Sequence, residues 1–194
     1  MSGPGLRELK KQRTRAAIQE HAVRLFTEQG YDATTVEQIA AAAEVSPATF
    51  FRYFKTKEDV VIEDDYDPML VAVLEAAPAD LPPLRALRVA LREAFAQLPE
   101  AEMRQIFERT KLIMSVPALR ARSLDNMVGT INVLAPPLAR RLGRSERDVG
   151  VRTFVGAVIG AWLAVFLEWI ASDGKLDLAD LMDEALGALD EGLR

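Results

Sequence analysis

Several side chains between residues 34 and 57 have the chemistry to contact a nucleic acid. Those that suit phosphate oxygens are the hydroxyls and the cation of Thr34, Thr35, Ser46, Thr56 and Lys57. Those that suit the edges of bases lie among them, at Ala48, Thr49, Phe51, Arg52 and Tyr53. Small residues permit close approach, a threonine hydroxyl can touch a base edge, and arginine can pair with guanine or with a phosphate. The pattern predicts a surface that contacts DNA.

Two short helices are predicted to hold these residues. Thr35 with Gln38 three positions later is a capping box, which predicts a helix start. Ser46 followed by Pro47 is an N-cap with proline at the first helical position, which predicts a second start. A longer helix over roughly 8–29 precedes both. Two short helices joined by a turn of about three residues are typical of a helix-turn-helix.

The inner face of the second helix is predicted from its aromatic residues. Phe50 and Phe54 are four positions apart, so they lie on one face of a helix. We expect that face to pack against Ile39 and Val45. The outer face is then left for DNA.

The stretches Thr34–Ala40, Val45–Phe54 and Lys57–Val60 together resemble the TetR family of bacterial repressors. The resemblance covers about residues 10–62 and implies a homodimer on a palindromic double-stranded DNA operator. It further implies a C-terminal domain that binds a small molecule and releases the DNA. It places Thr35 at a phosphate-contacting helix start, Ala48, Thr49 and Arg52 at base-facing or phosphate-facing positions, and Tyr53 and Lys57 at backbone-contacting positions.

Two residues depart from the family pattern. Phe51 stands where the family often has tyrosine, so a hydroxyl bond to phosphate is lost and the ring is left with apolar contact. Glu44 stands in the turn where the family often has glycine. A glutamate tolerates a left-handed backbone less well and brings a negative charge near DNA.

The remainder of the chain also contains residues that mark helix starts and ends. Further helices are predicted at about 56–74, 83–98, 100–115, 117–142, 146–171 and 178–192. Pro136 and Pro137 should kink or split one of them. No stretch alternates in the manner of a β-strand. The fold class is therefore all-α, with a helix-turn-helix DNA-binding domain over 1–56 and a ligand-binding and dimerisation domain over 57–194.

A ligand pocket in the second domain should be apolar with few polar groups. The bulky side chains available are Phe95, Met103, Phe107, Met114, Met127, Ile131, Trp162 and Phe166. Residues 58–68 also resemble, more weakly, a subset of TetR-like regulators with a domain for acyl-CoA-like ligands. We therefore expect a small apolar ligand, and a fatty acyl-CoA is one hypothesis for it.

A dimer interface is predicted on the helix over 146–171. Small residues recur at Gly156, Gly160 and Ala164, and small residues four apart let another helix backbone come close. With the helix over 178–192 they would form a four-helix interface between two copies. The alternative is that both helices are internal core.

Charge and composition narrow the function classes. The 194 residues carry a net charge of −5. The first 57 residues hold nine basic and six acidic groups, while the rest hold 15 basic and 23 acidic. A basic head on an acidic body fits a protein that sets one end against a polyanion. The basic residues at 7–15 would either reach a minor groove or form a solvated leader.

Catalysis, metals and membranes are not indicated. The chain has no cysteine and one histidine, His21, so we expect no enzyme, no metal site and no cofactor. The longest uncharged run, Thr153–Leu167, is 15 residues where a bilayer span needs about 20. Without a signal-peptide pattern at the start, we expect a buried helix there and a cytoplasmic protein.

Two other function classes stay open at this point. One is a helical carrier for an apolar ligand, with a vestigial DNA-binding head. The other is a protein-interaction adaptor that dimerises. Binding of ligand without DNA affinity would favour the carrier, and absence of both a palindromic target and a pocket would favour the adaptor.

Overall fold

The computed structural model describes residues 5–63, 66–78 and 80–192. These residues form helices and no strands, which confirms the all-α prediction. The helices are α1 (Leu6–Gln29), α2 (Val36–Ala42), α3 (Pro47–Tyr53), α4 (Asp59–Ile62), α5 (Tyr66–Ala76), α6 (Pro83–Ala96), α7 (Glu100–Ser115), α8 (Pro117–Leu142), α9 (Val149–Ala171) and α10 (Leu178–Glu191).

The chain forms two compact units. The first comprises Met1–Glu63 and Lys111–Ser123, and the second comprises Asp64–Thr110 and Leu124–Arg194. We expected the first domain to end at residue 56. The first unit instead includes α4 and a segment taken from the end of α7 and the start of α8, because apolar residues of both pack in its core.

The core of the first unit is built on α3. Phe50 and Phe54 are fully buried, in one cluster with Ile18 and Phe26 of α1 and Ile39 of α2. The predicted inner face is therefore confirmed. The Lys111–Ser123 segment adds three apolar residues to this cluster, Leu112, Ile113 and Leu119.

The helix starts that the sequence predicts are present with their side-chain bonds. The Thr35 hydroxyl accepts from the Gln38 amide at 3.3 Å, and the Gln38 side chain accepts from the Thr35 amide at 2.9 Å. The Ser46 hydroxyl accepts from the Thr49 amide at 3.1 Å. Each bond satisfies an amide that would otherwise lack an acceptor in the first turn of the helix.

The single helix predicted over 56–74 is wrong. The structure has α4 and α5 instead, with Glu63 in an extended conformation at ψ 118° between them. Residues 64 and 65 lie outside the described residues. Pro68 explains the restart, because a proline in mid-helix loses a hydrogen bond and clashes with the preceding turn, whereas the first turn tolerates it.

An ion pair ties the start of α8 to the start of α4 within the first unit. Asp59 is 1 % exposed, and one of its carboxylate oxygens accepts from Arg122 at 2.9 and 3.0 Å. The other oxygen accepts from the Thr56 amide at 3.1 Å, while the Thr56 hydroxyl accepts from the Asp59 amide at 3.2 Å. A single buried carboxylate therefore joins the turn before α4 to the start of α8.

The second unit packs its helices around one apolar cluster, and an ion pair joins two of them. Leu87 and Leu91 of α6 share the cluster with Met182 and Leu186 of α10. Beside it, Arg88 of α6 donates twice to Asp183 of α10, at 2.8 and 3.0 Å. This paired guanidinium lowers the pKa of Asp183 below its ordinary value. Apolar packing and a bidentate pair thus fix α6 against α10.

Two expectations about long helices are changed by the structure. α8 is not split, since it continues through Pro136 and Pro137. α9 is 23 residues long and, among the described residues, it is the one helix with the length and apolar composition to cross a membrane. Only 28 % of an 18-residue apolar stretch of this helix is buried in the single chain. The expected buried helix therefore has an open face.

We predict that Asp59→Ala destabilises the first unit by about 2 kcal/mol, because it removes charged hydrogen bonds and leaves the Thr56 amide without its acceptor. Both tryptophans belong to the second unit, so their fluorescence would not follow this loss. Hydrogen exchange at the amides of Val61 and Ile62 would follow it.

The matched control is Glu8→Ala. Glu8 lies 3.7 Å from Lys11 in an exposed ion pair, and such pairs contribute roughly 0–1 kcal/mol. Equal exchange rates in the wild type and Asp59→Ala would contradict the role assigned to Asp59.

Candidate nucleic-acid interface

α3 exposes a mixed face of apolar, polar and cationic residues. Ala48, Phe51 and Arg52 are exposed, and Thr49 is half-buried. Ser46 is exposed at the N-cap. The Arg52 guanidinium lies 5.6 Å from the centre of the Tyr53 ring, and the ring itself packs partly on the core. The structure thus brings these six sequence-predicted residues together on one short helix and its cap.

The turn between α2 and α3 has a left-handed residue at Glu44. Its φ is 54°, in the region that glycine adopts at low cost and other residues rarely adopt. The Glu44 amide donates to the Ala41 carbonyl at 3.1 Å, and the Val45 amide donates to the Ala40 carbonyl at 2.9 Å. These two bonds form a Schellman motif, which ends α2 and sets the direction of α3.

Thr34 is a correction to the sequence analysis. Its side chain is 1 % exposed, and its hydroxyl donates to the Gly30 carbonyl at 2.8 Å. The same hydroxyl accepts from the Gln29 side chain at 3.1 Å. A buried hydroxyl with main-chain and side-chain partners is not available to a phosphate. Thr35, by contrast, is exposed at the start of α2.

Lys57 makes contacts that the sequence does not indicate. Its ammonium donates to the carbonyls of Tyr31 at 2.9 Å and Thr34 at 3.3 Å. It also lies 3.9 Å from the centre of the Tyr31 ring, a cation–π contact. Lys57 therefore connects the residues before α4 to the loop before α2, in addition to the phosphate contact that the resemblance implies.

Tyr31 and Glu58 form a hydrogen-bonded pair beside Lys57. The Tyr31 hydroxyl donates to the Glu58 carboxylate. Burial, together with this carboxylate, raises the pKa of Tyr31 above its ordinary value. Burial also pushes the pKa of Glu58 upward, but the Tyr31 hydroxyl, backbone and Thr56 bonds and Lys57 outweigh it and lower that pKa. Glu58 therefore stays ionised and fixes the ring against which Lys57 packs.

The basic residues before the core belong to a helix. α1 begins at Leu6, and Arg7, Lys10, Lys11 and Arg13 are exposed along its first turns. Further along, the Arg15 guanidinium lies 4.9 Å from the centre of the Phe54 ring. From residue 6 onward, the basic leader is therefore part of α1.

The predicted ligand-binding residues fall in both units. Phe107 packs its ring edge-on to Trp169 at 5.1 Å, and Trp162 packs likewise on Phe166 at 5.7 Å. Five further residues complete the set. Phe95, Met103 and Ile131 pack against the same cluster, Met127 is half-buried on α8, and Met114 packs in the core of the first unit. Met114 is therefore a correction, because its helix has passed into the first unit at that point.

A polar pair in the second unit joins α5 to α8. The Thr130 hydroxyl is 3.1 Å from both carboxylate oxygens of Asp67, and burial raises the pKa of Asp67 above its ordinary value. The sequence does not indicate that Asp67 and Thr130 pair, because 63 residues separate them along the chain.

The described residues contain no group of histidine, cysteine or carboxylate side chains placed to hold a metal ion. His21 is half-buried on α1, with its Nδ1 3.4 Å from Arg24.

Two family models match the chain. Residues 18–63 match the model described as bacterial regulatory proteins, tetR family. Residues 81–194 match the model described as the MftR C-terminal domain, which is also a TetR-type model.

Individual proteins give the same result. The chain is 35 % identical to the HTH-type transcriptional regulator TcmR of Streptomyces glaucescens, over 97 % of the chain and 88 % of that protein. The structure of the fatty acid degradation regulator FadR from Bacillus halodurans matches with a TM-score of 0.61 and 25 % identity, over 100 % of this chain and 99 % of that one. FadR from Bacillus subtilis in complex with stearoyl-CoA matches with a TM-score of 0.59 and 25 % identity, over 92 % and 99 %.

Proposed function

Because the chain belongs to the TetR family of bacterial transcriptional regulators, we propose that it is a ligand-responsive repressor. It acts as a homodimer in the cytoplasm and binds a palindromic operator through α3. The observation that carries this proposal is the exposed face of α3, held by a buried face of the same helix.

The residues of the interface divide by role. Thr35, Ser46, Tyr53 and Lys57 contact the phosphate backbone and set affinity, since hydroxyls, cations and helix-start amides bond phosphates without reading sequence. On α3, Ala48, Thr49 and Arg52 face the bases and set sequence preference. Two α3 helices, one from each copy, enter successive major grooves about one helical turn apart.

The test is selection of bound DNA from a random-sequence pool at physiological salt. Enrichment of a palindrome supports the proposal and supplies the operator for the measurements below. A folded, dimeric protein that enriches no sequence, with or without acyl ligands present, would contradict it and favour the carrier or the adaptor.

We predict that Arg52→Ala weakens binding to the selected operator by about 1–3 kcal/mol and relaxes the preference at one base pair. The matched control is Lys55→Ala, which removes another exposed cation three residues later. Lys55 follows α3 and is assigned to no base, so any weakening that its loss causes should be similar for all operator variants and should come from lost charge near the phosphates. Arg52 would not be a base-reading residue if the two variants gave the same pattern across operator variants.

The dimer interface is proposed on the open face of α9. A Cβ built on Gly156 or Gly160 would meet no atom of the described residues within 4 Å. Ala164 and Leu167 are exposed on the same side of the helix. An apolar face with small residues every four positions suits a second helix at close range. Together with α10, it would pack with its copy as a four-helix interface.

We predict that Gly160→Glu gives a folded monomer by sedimentation velocity, with operator affinity reduced at least tenfold. The glutamate has room in the single chain but would place a charge in the proposed interface. Gly129→Glu on α8 is the matched control, since a Cβ at Gly129 also meets no described atom within 4 Å, and it should stay dimeric. A dimeric Gly160→Glu protein would place the interface elsewhere.

A long-chain fatty acyl-CoA is the proposed ligand class. The FadR structure with stearoyl-CoA supports it, as do the aromatic and aliphatic side chains that pack with Trp162 and Phe166 in this chain. A ligand lowers DNA affinity only if it binds more tightly to the dimer in which the two DNA-binding units are wrongly spaced for the operator. The loss of DNA-binding free energy cannot exceed that difference in ligand-binding free energy.

We predict that acyl-CoAs of 12 to 18 carbons at 100 times their Kd stabilise the protein by about 2.7 kcal/mol and release the operator. Tryptophan fluorescence should report binding, because Trp162 and Trp169 both lie in the second unit. Free CoA is the control and should produce neither effect. If no chain length bound, the ligand class would be wrong while the DNA-binding proposal stood.

A further inference from the structure

Two neighbouring aromatic residues of α3 differ in their exposure. Phe50 is fully buried, whereas Phe51 is 53 % exposed. Their ring centres are 5.5 Å apart at an angle of 85°, an edge-to-face arrangement that aromatic pairs favour. The buried ring therefore supports one side of the exposed ring and limits its motion.

The exposed ring belongs to an apolar edge of the helix. Pro47 and Ala48 are exposed four and three positions before Phe51, so all three lie on one side of α3. None of these side chains carries a hydrogen-bond donor or acceptor. Arg52 and Thr49 give the helix its polar contacts, and this edge offers hydrocarbon only.

A hydrocarbon edge in a major groove can distinguish one feature of DNA. The 5-methyl group of thymine is the apolar group that base pairs present there, whereas the other features are donors and acceptors. Resting a phenyl ring on a phosphate would remove water from the anion without giving it a hydrogen bond. The favourable place for the ring is thus against a methyl group.

We infer that Phe51 reads a thymine methyl group in each half of the operator. The inference rests on the proposed function, because it requires α3 to enter the major groove. It adds a base identity to that function: the position facing Phe51 is thymine because of its methyl group, with no hydrogen bond involved. Phe51 is then a specificity-determining residue alongside Arg52.

The test replaces thymine by deoxyuridine, which removes the methyl group and leaves base pairing unchanged. Each thymine of the selected operator is replaced in turn, symmetrically in both half-sites, and the Kd is measured. One symmetric position should weaken wild-type binding about 15-fold, which is about fourfold per buried methyl group. For Phe51→Ala, the thymine and deoxyuridine operators should bind equally at that position.

Arg52→Ala is the matched variant, from the next residue of the same helix. It should bind more weakly overall and keep the 15-fold effect of deoxyuridine. Phe51→Ala should still unfold in one cooperative transition, at most slightly below the wild type, because the ring is 53 % exposed and only its contact with Phe50 is lost.

Each other result overturns the inference. Wild-type binding that is unchanged by deoxyuridine at every position would remove the thymine contact and leave the operator proposal intact. A deoxyuridine effect that persists in Phe51→Ala would assign the methyl group to another residue. Failure to select any palindrome would overturn the proposed function and the thymine contact together.

Discussion

The burial of Phe50 and Phe54 is the constraint on which the rest of the first unit depends. α3 has seven residues, too few for a helix to persist alone in water. It exists because these two rings, fully buried with Ile18 and Phe26 of α1 and Ile39 of α2, each contribute about 1.5–3 kcal/mol. Because the inner face holds the helix in place, the outer face does not have to stabilise it. It can carry an exposed phenyl ring and a guanidinium, which would add nothing to a helix that had to stabilise itself.

The parts of this arrangement that sequence predicts are those with local causes. The bonds of Thr35 with Gln38, and of Ser46 with Thr49, join residues three positions apart. The residue types at these positions are therefore enough to predict the bonds. The inner face of α3 follows from the four-residue spacing of its aromatics. The left-handed turn at Glu44 was indicated by the glycine common there in the family. In each case the physical partner is near in the chain.

The parts that sequence could not predict depend on distant partners. Asp59 pairs with Arg122 across 63 residues, and nothing in the spacing of either residue indicates the other. The Thr34 hydroxyl bonds to the nearby Gly30 carbonyl, but the burial of this side chain depends on how the whole first unit packs, which its residue type does not indicate. Met114 has no sequence feature that separates it from Phe107 earlier in α7, yet Met114 packs in the first unit and Phe107 packs in the second. Periodicity indicates which face of a helix is buried, and it is silent on what covers that face.

The length of α3 also limits how many base pairs it can contact. Seven residues span about 10 Å, and with base pairs about 3.4 Å apart one helix faces roughly three of them. Three base pairs have 64 possible sequences, and two copies of the helix would distinguish about 4,000. Against the 10⁶ or more competing sites of a genome, some hundreds of matches would remain by chance. A recognition helix of seven residues is therefore too short to select the operator through base contacts alone. Base pairs that no side chain contacts, between and beside the half-sites, must add specificity through their bendability and groove width.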